Sequence, residues 1–382
     1  MIQLVFNRYL VMVFLIACQS SMEDNPEHTA KPTLRSAFAD DFTIGAALAA
    51  SQVTGTNPKE SELIAREFSS VTAENIMKWI EIHPAPDSFN FELPDKLVEN
   101  AQAHGQQIIG HTLTWHNQTP DWLFQNENGD LVDSTTLYAS MKHHIETVVG
   151  RYKGKIAGWD VVNEALNDDG TYRDSKFFRI SGDGYLYKAF EYAAAADPGM
   201  ELYYNDYSMH QPAKVAGAIE LARKLRARGL RIDGIGMQGH WGLGGPPVNE
   251  IEASIVSIHE AGLKVMITEL DIDVLPNPRE IEGADLSQSF ETNLQANPYV
   301  NGLPDSVNQV HADRYEDLFR LFYKHRDKIT RVTFWGVHDG QSWKNNWPAR
   351  GRTNYCLVFD RNLEPKLAYD QILAIKSLAV TD

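Results

Sequence analysis

Cysteine is nearly missing from this 382-residue chain. Cys18 and Cys356 are the only two, too few for a disulfide framework, and no Cys/His group has the spacing of a zinc site. No glycine-rich phosphate turn follows the first β-like run, and nothing offers a handle for an organic cofactor. The expectation is therefore chemistry without metal or cofactor. Cations are scarce beside anions, 35 Lys plus Arg against 51 Asp plus Glu for a net charge of −16, which makes nucleic acid or an anionic membrane surface a poor ligand. The apolar stretch from Tyr9 through Ala17 is too short to span a bilayer, which takes about 20 residues.

What is present is ordinary for a globular chain: 43% hydrophobic and 23% charged residues, long enough for one large domain or two smaller ones. Residues 1–17 carry a single positive charge, Arg8, ahead of the apolar stretch, and read as a secretory signal peptide. Leu15-Ile16-Ala17-Cys18 resembles the bacterial lipobox, in which the cysteine becomes the lipidated first residue of the mature protein. Gln19 follows it rather than Asp, which points to an outer-membrane or cell-surface lipoprotein; a cleaved signal with a chance cysteine is the alternative. Residues 18–35 are polar and proline-containing, the composition of a lipid-anchored flexible tether. Residues 36–382 are expected to form one domain, monomeric and touching the membrane only through that anchor.

From Phe42 onward, short β-like runs alternate with longer amphipathic ones, the pattern of βαβ units on a parallel sheet. The runs are Phe42–Leu48, Ser70–Ile76, Gln107–Thr114, Ile156–Asn163, Glu201–Asn205, Ile232–Gln238, Lys264–Glu269 and Arg331–Val337. Helical periodicity marks Ser134–Tyr152, Ala213–Arg228, Val248–Ala261, Ala312–Lys328 and Pro365–Leu378, and Gly105, Gly229 and Gly262 sit where helices stop. Eight such repeats fit an α/β fold of the (β/α)8 TIM-barrel type with enlarged loops. An open doubly wound sheet is the rival. Pro276–Val310, without strong periodicity, reads as a long loop in which Phe290 and Tyr299 could pack.

In a barrel of this kind the chemistry gathers at the C-terminal ends of the strands. Those ends carry Glu74, Asn75, Lys78 and Trp79; His111, Trp115 and His116; Asn163 and Glu164; Tyr204 through Tyr207; Gln238, His240 and Trp241; Glu269 and Asp271; and Trp335, His338, Trp343 and Trp347. So many ionisable and hydrogen-bonding groups on one rim are hard to justify structurally, because buried unpaired polar groups are costly. Glu164 and Glu269 end the fourth and seventh runs, nearly opposite across the ring. Cleavage of a glycosidic bond asks for such a pair, one acid with a raised pKa and one ionised carboxylate. A metal site on His111, His116, His240 and the acids is the competing reading, but no close His-x-His or His-Glu-x-x-His pair supports it.

Seven stretches in order resemble glycoside hydrolase family ten, the endo-β-1,4-xylanases: Thr72–Trp79, Gly110–His116, Trp159–Glu164, Tyr204–Tyr207, Gln238–His240, Ile267–Asp271 and Trp335–Asp339. The resemblance implies a retaining enzyme acting on xylan and xylo-oligosaccharides, with Glu164 as acid/base and Glu269 as nucleophile. It implies that Asn163 bonds the sugar 2-hydroxyl and that His240, backed by Asp271, orients Glu269. Glu74, Asn75, Lys78, His111, Trp115 and Gln238 would line the glycone side, Tyr204 or Tyr207 the aglycone side, and Trp335 and Trp343 would roof the point of cleavage. A non-catalytic oligosaccharide-binding lipoprotein and a β-1,4-glucanase are the alternatives.

Overall fold

β-branched runs buried on both faces need helices above and below them, and a parallel sheet supplies that arrangement. In a computed structural model, which describes residues 31–276, 291 and 295–378, the strands are β1 (Thr43–Leu48), β2 (Ser70–Ala73), β3 (Gln107–His111), β4 (Gly158–Asn163), β5 (Glu201–Asp206), β6 (Gly234–Met237), β7 (His240–Gly242), β8 (Lys264–Asp273) and β9 (Ile329–Phe334). All pairings among them are parallel. β1 to β6 pair in sequence, β9 joins β1 to β8, and β6 pairs β8 from Gly234↔Lys264 to Met237↔Ile267, closing an eight-stranded barrel. β7 is an unexpected addition: three residues that pair with Asp271–Asp273 and carry β8 four residues beyond the expected end at Glu269.

Inside the barrel, Ile109, Tyr203 and Met266 from β3, β5 and β8 pack on one another, a side-chain layer fed by alternate strands. Gly158 makes room for it, because a Cβ there would stand 2.5 Å from the Tyr203 ring. Outside, the main core lies between strands and helices, with Trp159, Phe190, Phe319 and Ile255 all fully buried. The helices Ser134–Arg151, Pro212–Ala227 and Val248–Glu260 fall within two residues of their expected bounds. Asp133 caps the first of them, accepting from the Thr136 amide at 2.7 Å. Gly105, Gly229 and Gly262 take φ of +61°, +74° and +70° just past helix ends, where only glycine is unstrained.

Several strands are shorter or shifted by two or three residues, among them β2, β3, β4, β6 and β9, and the ordered limits of two helical segments also differ from expectation. The helix expected from Ala312 begins at Asp305 after Pro304 and runs to Lys324; an acidic first turn suits a helix N-terminus, so part of the expected loop is helical. Thr33 caps a short helix, Leu34–Ala37, and Leu34 is fully buried with its amide on Glu67 Oε2 at 3.1 Å. The ordered chain thus includes the last residues assigned to the tether. The expected signal segment, Cys18 and Phe290 lie outside the described residues, whereas Cys356 is a buried free thiol.

Candidate active site

β4 delivers Glu164 into a left-handed backbone, φ +56°, a conformation that costs a non-glycine residue roughly 1–3 kcal/mol and persists only where the surroundings enforce it. Its side chain is 6% exposed. Trp115 Nε1 donates to Oε2 at 2.8 Å and Gln238 Nε2 to Oε1 at 2.9 Å. Across the ring, β8 delivers Glu269, 5% exposed, with Asn205 Nδ2 donating to Oε1 at 2.7 Å and His240 Nε2 lying 3.1 Å from Oε2.

A line of amides joins the two acids. Asn205 Nδ2 also reaches Asn163 Oδ1 at 3.0 Å, Asn163 Nδ2 reaches Glu164 Oε1 at 3.3 Å, and Thr268 Oγ1 fixes Asn205 by donating to Oδ1 at 2.6 Å. Each amide can satisfy an acceptor and a donor at once, so the carboxylates are held by groups that do not titrate.

Their surroundings push the two acids in opposite directions. Burial raises the Glu164 pKa, the hydrogen bonds from Gln238 and Trp115 offset part of that, and the Glu269 charge raises it further. Burial would raise Glu269 too, but the His240 hydrogen bond and the positive fields of His111, His240 and Lys78 outweigh it and leave the pKa lowered. Burial disfavours the His240 cation, yet Asp271 and Glu269 together bring its pKa up to about 9. His240 is therefore an imidazolium between two carboxylates, with Nδ1 3.0 Å from Asp271 Oδ2, and Asp271 Oδ2 also accepts from Trp343 Nε1 at 2.7 Å.

These directions fix a pH dependence. Chemistry that needs Glu269 ionised is lost as pH falls through its lowered pKa, and chemistry that needs Glu164 protonated is lost as pH rises through its raised one. Asp271→Asn removes the charge that keeps His240 cationic, so Glu269 loses support and titrates higher. The acid limb of kcat/KM is expected to move to higher pH, and an unmoved limb in a pH–rate profile would contradict the linkage.

The acids open onto a cleft of about 720 Å³. Glu74, Asn75 and Lys78 form one part of its wall, and His111, Trp115, Asn163, Gln238 and His240 surround the acids. Trp335 and Trp343 also line it. Lys78 Nζ donates to Asn75 Oδ1 and Gln118 Oε1, both at 2.9 Å, and lies 4.8 Å from the Trp115 ring centroid. His111 Nδ1 pairs with Asp160 Oδ2 at 2.9 Å while its ring meets Trp335 edge-on. Asp271 stands behind His240, fully buried.

Tyr204 is a correction. One of the two tyrosines expected to offer an aglycone contact, it is fully buried, and its hydroxyl donates to Asp206 and accepts from the Ala165 amide at 3.2 Å. Strand alternation explains this: Tyr203 and Asn205 occupy the barrel interior, so Tyr204 must face outward. Tyr207, 6% exposed and close enough to Glu164 to feel its charge, has its hydroxyl accepting from Arg173. Sequence reasoning does not single out Asn205, Asp160 and Gln118 as site residues, although Asn205 lies within Tyr204–Tyr207, Asp160 within Trp159–Glu164 and Gln118 just beyond the Trp115-His116 pair. Gln341, Asn346, Trp347 and Arg350 line the cleft from the loop after β9. Among the described residues no group of three or more His, Cys, Asp or Glu is placed to hold a metal ion.

This geometry has relatives. Endo-1,4-beta-xylanase A of Xylanibacter ruminicola is 44% identical over 345 residues, 90% of this chain and 94% of that protein. A solved GH10 endoxylanase retrieved from a sugarcane soil metagenome superposes with a TM-score of 0.87 at 43% identity, covering 90% of this chain and 99% of that one. A solved alanine mutant in complex with xylotriose matches at TM-score 0.80 and 35% identity, covering 90% and 99%. Residues 33–375 match the sequence profile of glycosyl hydrolase family 10. The match runs from the first cap at Thr33 into the last helix and takes in every strand that carries a cleft residue, and the chain belongs to glycosyl hydrolase family 10.

Proposed function

We propose that this chain is a retaining endo-1,4-β-xylanase, cleaving internal β-1,4-xylosidic bonds through a covalent glycosyl-enzyme. The observation that carries the reading is the pair of buried acids with opposed titration, Glu164 raised and Glu269 lowered. In the first step a Glu269 oxygen attacks the anomeric carbon while Glu164 gives its proton to the departing glycosidic oxygen. In the second, Glu164 takes a proton from water, whose oxygen attacks the same carbon and releases Glu269. In this reading Asn163, beside Glu164 on the cleft wall, bonds the 2-hydroxyl of the reacting sugar. Trp335 and Trp343 offer apolar faces to a sugar ring, while Glu74, Asn75, Lys78 and Gln238 offer hydrogen-bond partners to its hydroxyls. An oligosaccharide-binding protein has no use for two such acids.

The test is release of reducing ends from linear xylan and from carboxymethylcellulose. Rapid release from xylan with little from the cellulose derivative is expected; preference for the cellulose derivative would make the enzyme a glucanase.

The N-terminal segment supports a second part of the proposal, that the enzyme is lipidated at Cys18 and held at the outer membrane or cell surface. Cells expressing the chain with radiolabelled palmitate should incorporate label, and Cys18→Ser should abolish it and release soluble enzyme. Equal fractionation of both forms would reduce the cysteine to chance.

A further inference from the structure

Most of the groups that hold Glu164 in its left-handed backbone stand outside the cleft. On its carbonyl side, Arg173 Nε donates to the Glu164 oxygen at 3.1 Å while its terminal nitrogen donates to Tyr207 Oη. On the other side of the same peptide, the Ala165 amide donates to Tyr204 Oη at 3.2 Å, and that hydroxyl donates to Asp206. Asp206 Oδ1 accepts from the Tyr207 amide at 2.9 Å and lies 3.0 Å from Lys214 Nζ. Lys214, with a fully buried side chain, also pairs with Asp168 at 2.9 Å and lies 3.7 Å from the Tyr207 ring centroid.

Arg173, Asp206, Lys214 and Asp168 thus alternate in sign behind one peptide group. The side chains of Asp206 and Lys214 are fully buried; desolvating such a pair is expensive, and hydrophobic packing of similar volume would hold a loop as well. None of these groups lines the cleft, so contact with substrate does not explain them. Their contacts lead to the peptide joining Glu164 to Ala165, whose carbonyl accepts from Arg173 and whose amide donates to Tyr204, the hydroxyl that Asp206 holds.

We propose that Arg173 and Tyr204, backed by the Asp206–Lys214 pair, are the positioning residues of the acid/base, clamping the Glu164–Ala165 peptide so that the carboxyl keeps its place while it loses and regains a proton. This rests on the reading of Glu164 as acid/base. The groups that face Glu164 electrostatically are Glu269 from β8, Arg173 from the loop after β4, Asp206 and Tyr207 from the end of β5, and Lys78 from beyond β2. Of these, Arg173 favours the ionised form of Glu164. Its loss therefore moves the pH at which the acid form is depleted upward.

The experiment compares Arg173→Met, Arg173→Lys and Tyr204→Phe with the unaltered enzyme on xylohexaose and on a dinitrophenyl xylobioside, whose leaving group needs no proton. Arg173→Met should lower kcat on xylohexaose by on the order of 10²-fold, the usual cost of misplacing a catalytic group by about 1 Å. KM should hold, the alkaline limb should move to higher pH, and kcat/KM on the aryl substrate should fall far less. Arg173→Lys should recover part of the loss. Tyr204→Phe, which removes one hydroxyl and keeps the ring, should cost about fivefold on xylohexaose alone, the rate equivalent of one hydrogen bond.

Equal losses on both substrates, or Tyr204→Phe acting as the unaltered enzyme on both, would overturn the proposal and leave the network a purely structural one. If Arg173→Met does not fold, the Tyr204→Phe comparison decides. Failure of the unaltered enzyme to cleave xylohexaose would instead overturn the proposed function.

Discussion

Glu269→Ala should lower kcat on xylan by about 10⁴- to 10⁶-fold, the range that loss of a nucleophile spans in enzymes that form covalent intermediates. The size follows from what is removed. Glu269 is the ionised member of the pair, kept so by the His240 cation and the fields of His111 and Lys78, whereas burial raises the other two carboxyls on the cleft wall, Glu74 and Glu164. Its backbone amide donates to Gln238 O at 2.6 Å, a bond the substitution leaves in place, so the alanine variant should fold and still bind xylo-oligosaccharides. Turnover is assayed on linear xylan, with binding followed by isothermal titration calorimetry; retention of ordinary turnover would remove Glu269 from the mechanism.

Glu164→Ala should behave differently with different leaving groups. On xylan, where the departing oxygen must be protonated, kcat should drop about 10²- to 10⁴-fold, the usual contribution of acid/base catalysis. On a dinitrophenyl xylobioside the first step should proceed, the glycosyl-enzyme should accumulate for want of a base, and a burst of dinitrophenolate should precede a slow steady state. Added azide, an anion that attacks without a base, should restore turnover and yield a β-xylosyl azide. Equal loss on xylan and on the aryl substrate, with no burst, would assign Glu164 another role. The variant also leaves the Trp115 donor without its acceptor and Gln238 with Asn163 Oδ1 at 3.4 Å alone, so part of any loss in affinity belongs to that cavity.

How much of this was legible in the sequence differs by level. Strand alternation with amphipathic runs was enough for a closed parallel barrel, because few other folds bury eight two-faced strands, and the strand ends placed both acids on one rim. Strand limits such as Ile156 were less legible: β4 starts at Gly158, since pairing requires a partner at Glu201 and hydrophobicity alone does not set register. Tyr204 was misplaced because a motif names neighbours without saying which face each takes. Asn205 has no role that its own neighbours in the chain reveal, because bridging Glu269 and Asn163 from inside the barrel exists only once the closed ring brings β4, β5 and β8 to face one interior. The Arg173 grip on the Glu164 carbonyl is likewise a backbone contact, invisible to any reading of side-chain type.

The central claim is that Glu164 acts as acid and then as base because Glu269 loses its charge between the two steps. The direct measurement is a ¹³C NMR titration of the Glu164 carboxyl, first in the free enzyme and then with Glu269 trapped as a 2-fluoroxylobiosyl ester. A raised pKa is expected in the free enzyme and a fall on trapping, as the neighbouring charge disappears. A Glu164 pKa that stays put or rises on trapping, or a fluorosugar attached to any residue other than Glu269, would contradict it.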